Sequence, residues 1–288
     1  MRAAAPILLA ALALVAAGCG SGSVGKGSSM TPLERVSQAT SKTTKATSAK
    51  VHMTVTETIG PVGPLEIGVD GVVDNAKHSG DMTIDMSSIA QIAGSAAGNA
   101  DAWKGEVVVD GSDLSHVVEY MRLPVFSTLL PSAKPWLKVD LNELGKLKGV
   151  DFGQLLQSAG TQDPSQALQA LQAIANVKEV GKAQVDGVDT TEYSGTVDPQ
   201  KVAALLPKSA GLGQVFKQLG TTPIPVSAWI DADGYIRKFE ESFSVTATNA
   251  GRMDMKLAAS FSDFGTPVSI TIPSADQTTD IVQLIKRK

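Results

Sequence analysis

The sequence predicts an α+β protein built on an antiparallel sheet of about ten strands, with helices inserted in blocks. Two observations carry this. Apolar residues alternate with period two through Val51-Met53-Val55, Leu65-Ile67-Val69, Met82-Ile84-Met86, Val107-Val109, Phe239 to Ala247 through Phe243 and Val245, and Met253-Met255-Leu257-Ala259-Phe261. Turn signals at Asp70-Gly71, Asp110-Gly111, Asp186-Gly187 and Asp233-Gly234 divide these runs at hairpin spacing. A helix after every strand would indicate a doubly wound parallel sheet, and the helical patterns here do not follow that rhythm.

Taken in order, the chain opens on Arg2, an apolar run from Ala3 to Ala17 broken by Pro6, and the small pair Ala17-Gly18 before Cys19. This reads as a secretory signal over residues 1–18, too short for a spanning helix. Val15-Ala16-Ala17-Gly18-Cys19 resembles a bacterial lipobox, departing from it at Ala16, where Leu is usual. The resemblance implies that Cys19, the only cysteine, receives diacylglycerol and a further acyl chain such as palmitate, which together anchor firmly. Residues 19–29 are a Gly/Ser-rich tether, in which the P-loop-like Gly20, Gly25 and Lys26 have no strand before them and the Ser23, Lys26 pair has no surrounding structure.

Residues 30–288 read as one continuous domain. Thr31-Pro32-Leu33-Glu34 has the form of a capping box and starts a helix running to about Ala46. Strands fill roughly residues 49–140, and helices dominate 142–175, where Asp163-Pro164 precedes an apolar stripe of Leu168, Leu171, Ile174 and Ala175. Strands return over 177–264, interrupted by a helix that Asp198-Pro199 opens and Pro207 stops. Thr279 to Lys286 forms a short closing helix, and the small-residue stretch 91–100 is a loop or flap.

Composition excludes several functions. With 25 Lys plus Arg against 29 Asp plus Glu and no basic run, the chain offers no surface for nucleic acid. One Cys rules out a disulfide framework within the chain and Cys-rich metal sites. His52, His78 and His116 fall in expected strands without metal-ligand spacing, and no nucleophile elbow or dinucleotide fingerprint is present. Asp231-Ala232-Asp233-Gly234 begins like a calcium loop, but Ser242 stands where the closing acid belongs, so a hairpin turn is expected. No catalytic residue, metal or cofactor is expected. Methionine is the more informative type: Met53, Met82, Met86, Met121, Met253 and Met255 all fall in expected strands. Their unbranched thioethers suit either ordinary core filling or a surface that receives variable apolar ligands.

Pro135-Trp136-Leu137-Lys138-Val139-Asp140, the Val226 to Gly234 hairpin around Trp229, and the closing stretch from Phe264-Gly265-Thr266-Pro267-Val268 to Pro273 resemble the LppX/LprG family of actinobacterial envelope lipoproteins, over about residues 30–285. That resemblance implies a LolA/LolB-like shape: a curved sheet open like a half barrel, with helices covering its concave face and enclosing an apolar cavity. It implies binding and movement of lipids or lipoglycans at the extracytoplasmic membrane face, without catalysis, with an export or transport protein of unknown identity as a further partner; the alternative is a structural or sensory lipoprotein of the same fold with a filled core that binds a protein partner. The lipid-facing candidates are Met53, Val55, Ile67 and Val69 in the first hairpin and Met82, Ile84, Met86, Val107 and Val109 in the next. From the last hairpin come Phe243, Val245, Met253, Met255, Leu257 and Phe261.

Overall fold

The computed structural model describes residues 30–59, 63–90, 99–147, 173–205, 221–247 and 251–286. The expected signal segment, the tether, most of the 163–175 helix and most of the 91–100 loop lie outside the described residues. In those described, strands β1 (Ser48–Ile59), β2 (Gly63–Asp74), β3 (Ser79–Asp85), β4 (Lys104–Asp110), β5 (Val118–Arg122) and β6 (Trp136–Asp140) come first. Then follow β7 (Ile174–Val185), β8 (Val188–Val197), β9 (Ile224–Asp231), β10 (Ile236–Ala247), β11 (Gly251–Ser262) and the short β12 (Thr278–Asp280). The helices are α1 (Pro32–Thr44), α2 (Val125–Leu129), α3 (Leu141–Leu147), α4 (Pro199–Leu205) and α5 (Ile281–Lys286), with short 3-10 turns at Ser87–Ile89, Ala100–Trp103 and Ala275–Gln277.

All twelve strands form one sheet, ordered β12-β6-β5-β4-β3-β2-β1-β11-β10-β9-β8-β7. It is open, because β12 and β7 stand at opposite ends, and antiparallel except where β12 runs parallel to β6. The first strand set joins the second through β1 and β11, whose register places Val55 opposite Leu257 and Glu57 opposite Met255. No helix among the described residues is long and apolar enough to cross a membrane.

Local chemistry explains the elements. Thr31 Oγ1 accepts from the Glu34 N–H at 3.3 Å while the Glu34 carboxylate accepts from the Thr31 N–H at 2.8 Å, so the capping box forms as expected. The buried side of α1 is small, with Ser37, Ala39, Ser41 and Thr43, which lets the helix lie close on the sheet. There Ala39 packs with Tyr193, Ala228, Ile230 and Ile236, and Thr43 Oγ1 accepts from the Ile236 N–H at 2.9 Å.

Several details differ from the sequence reading. Among the described residues the sheet has twelve strands rather than about ten; β12, only three residues long and lying where a helix from Thr279 was expected, is too brief for alternation to register. Asp70-Gly71 is not a turn but lies inside β2. Gly is needed there for close approach: a Cβ on residue 71 would run into the Asp81 carbonyl and Met82 of β3. Ile174 and Ala175 open β7 instead of ending a helix. His78 sits in the β2–β3 turn with φ 52° and His116 lies before β5, so only His52 is in a strand, and Met86 likewise lies outside its expected strand, just past the end of β3 where the 3-10 turn begins. By contrast Asp186-Gly187, with φ 49° and 80°, makes the expected tight β7–β8 turn.

Candidate functional site

Register divides the sheet into two chemically distinct faces. One carries Met53, Val55 and Glu57 of β1, Leu65, Ile67 and Val69 of β2, and Met82 and Ile84 of β3, with Met255 and Leu257 of β11 and Glu241 and Phe243 of β10 in the same rows. Helix α1 packs on this face through Ala39 and Val36 against Tyr193, Ala228 and the half-buried Phe239. The opposite face is polar, with exposed ion pairs such as His52–Asp70, Lys50–Asp263 and Arg122–Glu106. It also holds a shallow depression of about 270 Å³ between β1, β11 and β10, lined largely by Thr56, Thr58, Ser242, Ser244, Asp254 and Lys256.

The lipid-facing candidates separate into two groups. Ile67, Val69, Ile84, Met86 and Val107 are buried with Leu123 and Val125 in a filled cluster, against which Met53, Val55, Met82 and Val109 pack together with Trp103 and Phe126. This end is closed by α2 and the two 3-10 turns that flank residues 91–98. Phe243, Met253, Met255 and Phe261 are half-buried and Leu257 is buried, yet none belongs to a buried cluster among the described residues. Val245 pairs with Met253 in the backbone register. Cys19 lies outside the described residues.

Three glutamates on the apolar face were not anticipated. Glu241 has Val226 and Leu257 as its cross-strand partners and Phe239 and Phe243 as neighbours on its own strand. No hydrogen bond or ion pair reaches it among the described residues, and burial pushes its carboxyl up to about 7. Glu57, beside Met255, and Glu119, between Val109 of β4 and Val139 of β6, are likewise raised by burial. The signal was present in the sequence: each is a charged residue on the apolar phase of an alternating strand.

The motif residues behind the resemblance have structural work. Asp231 accepts from the Tyr235 N–H at 2.9 Å and from Arg237 Nε at 2.6 Å, which closes the β9–β10 hairpin. Tyr235 stacks on Phe264 with ring centres 4.3 Å apart, Arg237 lies over Phe264 at 5.0 Å, and Lys42 of α1 lies over Tyr235 at 4.4 Å. One knot thus ties the turn to α1 and to the stretch after β11, and Asp231, the first of the calcium-like acids, is engaged in it. Asp140, at the end of the Trp136 motif, accepts from the Glu143 N–H to cap α3 and pairs with His116 at 2.9 Å. That bond to Asp140 raises the His116 pKa. Trp136 is buried with Val108 and Tyr120 on the polar face, beneath Ile270 of the closing stretch. Among the described residues no group of three or more His, Cys, Asp or Glu could hold a metal ion.

Residues 140–270 match the LppX_LprAFG lipoprotein family. A 31.2 kDa protein of Streptomyces griseus, encoded between rplA and rplJ, is 28% identical over 275 residues, covering 90% of this chain and 82% of that protein. The crystal structure of Mycobacterium tuberculosis lipoprotein LppX superposes with a TM-score of 0.50 at 16% identity, covering 83% of this chain and 98% of LppX. LprF from Mycobacterium bovis gives a TM-score of 0.42 at 15% identity over 85% of this chain and 97% of LprF. The matched segment contains Asp231, Tyr235, Arg237 and Phe264 together with strands β7 to β11, and the LppX likeness is one of fold, so this half of the chain is similar to the LppX_LprAFG lipoproteins and the whole shares the open-sheet architecture of LppX.

Proposed function

We propose that this chain is a membrane-anchored, non-enzymatic carrier that takes up the acyl chains of a lipid or lipoglycan on the β1–β11–β10 part of its apolar sheet face. The observation that carries the reading is the row of Met253, Met255, Leu257 and Phe243, aligned by register and absent from the filled cluster at the other end. An acyl chain leaving a bilayer for water loses about 0.8 kcal/mol per CH2, and a Met-rich apolar face offsets most of that. Transfer between membrane and protein is then close to neutral, which a carrier needs and a sink does not. The match of residues 140–270 to a lipoprotein family, together with the lipobox-like sequence before Cys19, supports acylation at Cys19 and an extracytoplasmic location. Cys19→Ala releases such a protein into the medium, whereas retention in salt-washed membranes would contradict the anchor.

The two groups of apolar residues make a paired test. Met82 packs against the filled cluster, so Met82→Trp overpacks it and costs about 1–3 kcal/mol, without direct effect on ligand uptake. Met255→Trp stands at the proposed site, costs less stability, and lowers binding of a fluorescent acyl probe. Thermal unfolding and probe titration on both variants check this, and normal probe binding by a destabilised Met255→Trp would assign that end to a closed core as well.

A further inference from the structure

We infer that ligand binding on this face is proton-linked through Glu241: an uncharged acyl chain laid over β10 and β11 binds with the Glu241 carboxyl protonated and is released as that carboxyl ionises. The inference rests on the lipid-binding reading of the same face. Its basis is geometric. Glu241 occupies an inward position between Val226 and Leu257, flanked along β10 by Phe239 and Phe243, so a chain covering Phe243 and Leu257 also covers the carboxyl. Water is the only solvation an ionised Glu241 has among the described residues, and an apolar ligand removes it.

The groups facing Glu241 offer no replacement. On this face β9 presents Val226 and Ala228, and β11 presents Met255, Leu257 and Ala259, none of them titratable. Beyond β11, β1 presents Glu57, a second carboxyl that cannot neutralise the first. On the other side Tyr193 of β8 lies within 3.4 Å of Glu179 of β7 and interacts with Arg35 of α1, so that cation has its own partners. Lys238 and Lys256 pair with Glu240 on the opposite face of the sheet. Burial already places the Glu241 transition at about 7, so modest changes of pH alter its charge.

Linkage sets the direction. A ligand that excludes ionised Glu241 raises its pKa further, so binding takes up a proton. Apparent affinity is flat below about pH 6 and falls about tenfold per pH unit above pH 7, for a total near 100-fold by pH 9. The test titrates the purified full chain with N-phenylnaphthylamine, which stays uncharged across this range, alongside Glu241→Gln and the polar-face control Glu106→Gln, with thermal unfolding confirming that each variant is folded. Glu241→Gln should hold the low-pH affinity at every pH, and Glu106→Gln, on the polar face, should keep the wild-type dependence. A probe that binds with no pH dependence, binding that strengthens as pH rises, or a dependence that survives in Glu241→Gln overturns the proton link while leaving the lipid-binding reading intact. Absence of probe binding to wild type and to Glu241→Gln at every pH overturns both.

Discussion

Asp231→Ala should cost about 3–5 kcal/mol, because it removes one partner of a buried ion pair and leaves the other uncompensated. The Asp231 side chain is 3% exposed and that of Arg237 18%, their contact is 2.6 Å, and the same carboxylate satisfies the Tyr235 N–H. With total stabilities of about 5–15 kcal/mol, this loss approaches global unfolding. The damage should spread, since Arg237 and Tyr235 both rest on Phe264 and Lys42 rests on Tyr235. A contrast is available in Lys50–Asp263, whose side chains are 63% and 50% exposed. Lys50→Ala should cost under about 1 kcal/mol. Urea denaturation of both variants checks the pair of values, and a cost for Asp231→Ala no larger than for Lys50→Ala would show that the knot is not structural.

Glu241→Gln should act in the opposite sense and stabilise the protein, but only at neutral and alkaline pH. The folded-state pKa of Glu241 is raised from 4.5 to about 7, so the unfolded chain gives up its proton first as pH rises. Folded stability therefore falls between those two values and stays lowered above them. At about 1.4 kcal/mol per pKa unit the loss reaches about 3 kcal/mol, which the amide avoids. Unfolding compared at about pH 8 and pH 4 should show the variant more stable at the first and equal at the second. Equal stability at both would mean that Glu241 is better solvated or paired than its neighbours indicate. A protein that tolerates such a residue on an apolar face sacrifices stability where its ligand is proposed to bind.

Much of the architecture was legible because alternation and helix caps are local signals. Thr31 and Glu34 announce α1, and Asp186-Gly187 and Asp233-Gly234 announce their hairpins, since each motif meets the backbone requirement of its own turn. Asp70-Gly71 misled for a non-local reason: the demand for Gly71 comes from β3 pressing on β2, a contact that no window of sequence reveals. The candidate site was legible only in outline. Alternation assigned Met82 and Met255 to one face, but which of them is locked into a core depends on Leu123, Val125 and Phe126, far away in the chain. Glu241, Glu57 and Glu119 stood in apolar phase throughout, and their significance emerged only once register surrounded them with Val, Leu, Met and Phe.

The central claim is that the apolar sheet face holds lipid, and native mass spectrometry of the full chain purified from its own host's membranes tests it most directly. The account predicts a non-covalent adduct with the mass of a lipid or lipoglycan, retained by wild type and depleted in Met255→Trp. A folded wild-type protein that carries no such adduct, and acquires none from host lipid extract, would contradict it.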